Sequence, residues 1–163
     1  MNSDQAVRRQ LLALLRGGNA HMPFEAAIAD FPMDAINTEP PDVPYTPWHL
    51  LEHMRLTQWD ILEFIRNPDY VSPPWPEGYW PPRTTKADEA AWKKTLSDFA
   101  ADLEAVEAMV EDPETDLYSP IPHGDGQNIL REALLVADHN AYHTGEFAIL
   151  RQVMGTWPPD RRP

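Results

Sequence analysis

Apolar side chains recur at spacings of three and four residues, which is the period of an α-helix with one buried face. The clearest stripe lies in the segment 83–112, where six apolar residues follow spacings of four, three, four, three and four. No segment shows the alternation of apolar and polar residues that predicts a half-buried strand. The pattern therefore predicts an all-α protein. The six residues of the stripe are Trp92, Leu96, Phe99, Leu103, Val106 and Val110.

Prolines divide the chain into four long windows that contain no proline, at 1–22, 48–67, 83–112 and 123–157. The chain has 18 prolines, where average usage would give about eight. Because proline removes a backbone donor and clashes inside a helix, each window predicts one long helix. We expect a single domain over residues 1–163, folded as an up-and-down four-helix bundle with proline-rich connections.

Capping residues mark where each predicted helix begins and ends. The third helix is expected to begin at Thr85 with Asp88 and to end at Asp112, before Pro113. The other predicted bounds are 3–15 for the first helix, 46–67 for the second and about 126–155 for the fourth, with a short helical piece at 23–30.

Charge and composition narrow the class of protein. The 163 residues include 26 acidic and 13 basic side chains, a net charge of −13, and no cysteine. Such a charge disfavours nucleic acid and anionic membranes as partners, and the lack of cysteine excludes disulfides and thiolate metal sites. The apolar run at 11–15 is too short for a signal peptide or a membrane span. We expect a soluble, cytoplasmic protein.

Two of the six histidines, His139 and His143, lie four residues apart and therefore share one helix face. The same face carries Val136, Phe147 and Leu150, so both imidazoles are expected to point towards the core. Buried imidazoles must be hydrogen-bonded or metal-bound, because unsatisfied polar groups are costly to bury. From this pair alone, a metal site and a satisfied pair of core histidines both remain open.

A third ligand has to come from another helix. On the second predicted helix His53 faces inward, whereas His49 shares a more polar face with Asp60 and is expected at the surface or rim. Three imidazoles leave a divalent ion with open coordination positions, as in catalytic sites. The residues thus favour a metal triad of His53, His139 and His143, with a satisfied core histidine as the alternative for His53.

Two further features adjoin this candidate site. Glu146, one turn beyond His143, is open to three roles: fourth ligand, hydrogen-bond partner of a ligand, or catalytic base. The alternative is a polar residue at the end of the bundle with no role in the site. The segment 72–82 holds three aromatic residues among five prolines. It is either a lid over the site or a linker whose aromatic rings pack on the end of the bundle. We expect His123 to be an exposed turn histidine.

Two segments carry a resemblance to a known family: 47–53, PWHLLEH, and 138–146, DHNAYHTGE, followed by Arg151 and the segment 155–157. In order and spacing they resemble the DinB-like superfamily of metal-binding four-helix bundles. The resemblance implies that His53, His139 and His143 bind a divalent ion, commonly zinc or nickel. It also implies a homodimer, and it places Glu146 where relatives often have glutamine.

The resemblance further implies a function. Characterised relatives include transferases and isomerases that use low-molecular-weight thiols such as bacillithiol or mycothiol. We therefore expect a metal-dependent thiol transferase or hydrolase that acts on a small molecule, with Glu146 as the catalytic candidate. Because the chain has no cysteine, the thiol would come from outside the protein. The alternative is a non-catalytic, stress-related dimer in which the ion is structural.

Overall fold

The computed structural model describes residues 2–161, which form five α-helices. No strand occurs among these residues; Pro120 and Asn128 form an isolated bridge. The predicted all-α class is therefore confirmed. The helices are α1 (Ser3–Leu15), α2 (Phe24–Ile28), α3 (Pro47–Arg66), α4 (Glu89–Glu111) and α5 (Ile129–Met154), with short 3₁₀ helices at Glu77–Tyr79 and Pro159–Arg161.

The helix ends follow local chemistry. The side chain of Thr46 accepts from the backbone N–H of His49, and the imidazole of His49 accepts in return from the N–H of Thr46. Asn128 caps the start of α5, and Gly155 ends it at a φ of 65°, a left-handed conformation that suits glycine. The predicted start of α4 at Thr85 is wrong. Asp88 caps that helix, whereas the N–H of Thr85 donates to the carbonyl of Pro82 and closes a turn before the helix.

The long helices do not follow the predicted up-and-down order. Thr95 of α4 donates to Glu52 of α3 over 2.9 Å, and Gln58 of α3 donates to the carbonyl of Phe99 over 2.6 Å. Both contacts advance along the two helices together, so α3 and α4 run in the same direction. An up-and-down bundle requires each helix to reverse the one before it, and that part of the prediction is wrong.

The reason for this order is the connection from α3 to α4, which we call the crossover segment (residues 67–88). The 20 residues of α3 rise about 30 Å, and an extended chain covers more than 3 Å per residue. The crossover segment is long enough to return the chain to the end of the bundle where α3 begins. The proline-rich residues that were predicted to separate two helices therefore also lie along α3.

The core comprises two adjoining clusters of buried side chains. One lies near the first half of α3, and the other near the ends of α3 and α4. Four residues of the predicted apolar stripe are buried in them, and Leu96 and Leu103 pack against their edges. The stripe is thus the core-facing side of α4. No helix within residues 2–161 is both long and apolar enough to cross a membrane. The buried stripe residues are Trp92, Phe99, Val106 and Val110.

Arg8 joins α1 to the end of α4. Its guanidinium donates to the carbonyls of Val110, Asp112 and Thr115 over 2.6–2.9 Å and also pairs with Asp4. These carbonyls belong to the last turn of a helix and the residues just after it, where no intrahelical donors are left. One nearly buried side chain therefore satisfies the end of α4.

We predict that Arg8→Met lowers the free energy of unfolding by about 2–4 kcal/mol, because partly buried carbonyls lose their donors. Urea denaturation is the measurement. The matched control is Arg9→Met, at an exposed neighbouring position, with an expected change within about 0.5 kcal/mol. Equal effects of the two substitutions would contradict the proposed cap.

Candidate metal centre

Three histidines from two helices meet at one point. His53 lies on α3, and His139 and His143 lie one turn apart on α5. The Nε2 atom of His53 is 3.2 Å from Nε2 of His143 and 3.2 Å from Nε2 of His139. His53 and His143 are buried, and His139 is half-buried. The three side chains predicted to converge do converge.

Outer hydrogen bonds orient two of these rings. Nδ1 of His53 lies 2.8 Å from the carbonyl oxygen of Tyr79, and Nδ1 of His143 lies 2.5 Å from Oε2 of Glu146. A carbonyl or carboxylate oxygen accepts, so each Nδ1 carries the proton. The Nε2 atoms of both rings consequently present lone pairs to each other. Two facing lone pairs repel unless a cation or a proton lies between them.

The donor set fits a metal ion. Two imidazole nitrogens that bind one tetrahedral ion at about 2.0–2.1 Å lie roughly 3.3–3.4 Å apart, close to the two separations of 3.2 Å. Burial, together with the neighbouring imidazoles, lowers the pKa of His139 to about 4 and that of His143 to about 3. Burial also lowers the pKa of His53. All three rings are therefore neutral near pH 7, as metal ligands must be.

Glu146 lies beside the triad rather than in it. Its Oε2 accepts from His143, and its Oε1 accepts from the hydroxyl of Tyr45. Burial raises the pKa of Glu146, and the two donors favour the ionised form against that effect. Of the three roles left open by the sequence, these contacts match a hydrogen-bond partner of a ligand. Such a carboxylate–histidine pair orients a metal-binding ring.

The crossover segment supplies the remaining contacts of His53. The ring of Trp80 stacks on the imidazole of His53 with centroids 4.0 Å apart and planes 3° from parallel. The next residue back, Tyr79, gives the carbonyl that accepts from His53. Of the two readings of the segment 72–82, these contacts support a cover on the site. Trp75 is the exception, because its side chain is 73% exposed.

A buried carboxylate on α3 holds the crossover segment in place. Asp60 accepts from the hydroxyls of Tyr70 and Tyr79 over 2.9 and 3.0 Å. Burial and the carboxylate of Asp60 raise the pKa of both tyrosines, so both remain donors. Asp60 thereby positions the residue whose carbonyl orients His53. The sequence put Asp60 on a polar helix face and offered no signal for this role.

The prediction for His49 is wrong, and that for His123 is confirmed. His49 is only 3% exposed; its Nε2 donates to the carbonyl of Thr85 over 2.9 Å. The polar face of α3 on which it lies is covered by the crossover segment, which a helical projection does not include. His123 lies in an exposed turn and contacts the carbonyl of Phe64, away from the triad.

Comparison with known proteins shows which family the chain resembles. The family model of the DinB superfamily matches residues 6–147, a span that includes the three histidines and Glu146. Among curated proteins and among solved structures, nothing matches the chain. The resemblance found in the sequence is therefore confirmed at the level of the superfamily.

Two tyrosines provide a matched test of the crossover contacts. Tyr79→Phe and Tyr70→Phe each remove one hydrogen bond to Asp60, and each should lower the free energy of unfolding by about 1 kcal/mol. Only Tyr79 also carries the carbonyl that orients His53. We therefore predict that Tyr79→Phe weakens Zn²⁺ binding about tenfold and that Tyr70→Phe changes it less than twofold. Competition with a chelator measures both, and equal losses would reject the positioning role.

Proposed function

The chain belongs to the DinB superfamily, and we propose that His53, His139 and His143 hold a divalent metal ion, zinc or nickel. We further propose that a small molecule reacts there with a low-molecular-weight thiol or with water. The single observation that carries the proposal is that the Nε2 atoms of three neutral imidazoles converge. Outer hydrogen bonds orient two of these rings. Histidines that were merely buried would be expected to use Nε2 on separate partners.

The chain's own residues would prepare this site. Glu146 orients His143, the carbonyl of Tyr79 orients His53, and Trp80 shields one face of His53 from water. The half-buried His139 lies at the more accessible side of the triad. Three protein ligands leave coordination positions open in a catalytic site. For Glu146, predicted as the catalytic candidate, these contacts support a different role, as a residue that positions His143.

A bound divalent ion supplies Lewis acidity that lowers the pKa of a thiol or of a water molecule. The chain has no cysteine, so the reacting thiol would be a second, diffusible substrate. A thiol transferase or a hydrolase is the class of enzyme that this arrangement supports best.

We predict that the protein, purified without a histidine tag, contains about one divalent ion per chain. A His53→Ala, His139→Ala double variant should lose that ion, because one remaining imidazole binds it too weakly. Elemental analysis of the two proteins is the measurement. The control variant His21→Ala, His123→Ala removes two exposed histidines and should keep its metal. Unchanged metal content in the triad variant would reject the centre.

Cobalt substitution tests whether a thiol binds to the metal ion. We predict that Co²⁺-loaded protein develops a sulfur-to-cobalt charge-transfer band when cysteine, glutathione, bacillithiol or mycothiol is added. Because the chain has no cysteine, such a band must come from the added thiol. Glutathione disulfide is the matched additive without a free thiol and should give no band. A spectrum unchanged by all four thiols would reject thiol binding.

A structural ion is the second candidate, and one observation favours it. His53 is packed between α5 and the crossover segment, so an ion on it would tie these elements together. In that case the ion would resist chelators in the folded protein, and its removal would lower the unfolding temperature. Added thiols would not change the spectrum of the cobalt-loaded protein. An ion that exchanges readily and responds to thiols supports the enzyme.

We also propose that the protein is a cytoplasmic homodimer that binds neither nucleic acid nor membrane. The support is the family resemblance for the dimer and the net charge of −13 for the lack of nucleic-acid binding. Light scattering at micromolar concentration measures the mass of the particle. A monomeric mass would reject the dimer.

A further inference from the structure

A cleft of about 410 Å³ lies between the start of α3 and the end of the crossover segment. Its size falls within the usual range of small-molecule sites. The cleft includes neither the three histidines nor Glu146, although two of its lining residues contact His53 and Glu146. Its lining residues are Pro44, Tyr45, His49, Trp80, Pro81 and Arg83.

The walls of the cleft are largely apolar and aromatic. The rings of Tyr45 and Trp80 lie with their centroids 5.2 Å apart and their planes tilted by 34°, and two prolines extend the apolar lining. His49 contributes little polarity, because both ring nitrogens already have backbone partners. A planar apolar group would therefore find aromatic and proline surfaces on several sides.

Arg83 is the one charged residue among those that line the cleft. No carboxylate of residues 2–161 forms an ion pair with it, although the chain has twice as many acidic as basic residues. Five other arginines and two lysines do pair with carboxylates. An exposed guanidinium without a carboxylate partner offers planar, paired donors to a carboxylate.

The cleft reaches the candidate metal centre through two side chains. Trp80 lines the cleft and stacks on His53, and Tyr45 lines it and donates to Glu146. A molecule in the cleft would therefore touch residues that directly contact a metal ligand or its carboxylate partner. This continuity connects the cleft with the triad.

We propose that this cleft binds a small carboxylate with a planar apolar body, whose carboxylate pairs with Arg83 and whose body packs on Trp80 and Tyr45. The role of the cleft as a substrate site depends on the metal centre proposed above. The substrate class would then be aromatic or conjugated carboxylates. Arg83 would be a specificity-determining residue, since it selects the anion over an uncharged analogue of the same shape.

The test uses naphthalene-2-carboxylate as the probe and naphthalene-2-carboxamide as its uncharged counterpart. Isothermal titration calorimetry on the full chain should show that the carboxylate binds and that the amide binds roughly three- to tenfold more weakly. Arg83→Gln should reduce carboxylate affinity by a similar factor. The control Lys86→Gln removes an exposed cation that does not line the cleft and should leave the affinity unchanged.

The outcomes separate this proposal from the metal centre. Absence of carboxylate binding, equal binding of the amide, or equal loss in Arg83→Gln and Lys86→Gln would each overturn it. Thermal unfolding of both variants verifies the fold, and Arg83 is exposed, so the substitution does not disturb the core. Metal content is measured on the same samples. Metal without carboxylate binding rejects the cleft alone, and carboxylate binding without metal rejects the metal centre alone.

Discussion

The path of the crossover segment along α3 is the constraint on which the rest of the structure depends. It returns the chain so that α4 runs parallel to α3, and it covers a face of α3 that would otherwise meet water. Three polar side chains on α3 find partners in it: His49 with Thr85, His53 with Tyr79, and Asp60 with two tyrosines. Buried polar groups need such partners. The segment is thus part of the interior as well as a connection.

The candidate site has two parts: two histidines whose spacing is fixed by one helix, and a third that is held by the crossover segment. His139 and His143 are one turn apart on α5, so the helix alone fixes their spacing. His53 comes from α3, and its ring is held by a carbonyl and an indole of the crossover segment. The orientation of a metal ligand depends strongly on the partner of its other nitrogen. The geometry of the triad therefore depends on a loop at His53 and on a helix at the other two histidines.

Much of the fold and the triad could be predicted from the sequence, since both are set by local patterns. Proline positions and caps located the helices, and the helical period placed His53, His139 and His143 on inward faces. The direction of α4 could not be predicted, because a proline shows where a helix ends but not where the chain goes next. His49 and Asp60 were misjudged for the same reason: their burial is due to a distant segment. The part played by Tyr45 had no local pattern at all.

The group that orients His53 is the backbone carbonyl of Tyr79, and this has a consequence for how the family diverges. Every amino acid has a carbonyl oxygen, so relatives can replace residue 79 and still keep the hydrogen bond if the loop keeps its path. Selection would then act on the conformation of the backbone and on the side chains that anchor it. A sequence alignment would show little conservation at this position. Comparing relatives for this contact requires superposing loop traces around the triad rather than counting identities.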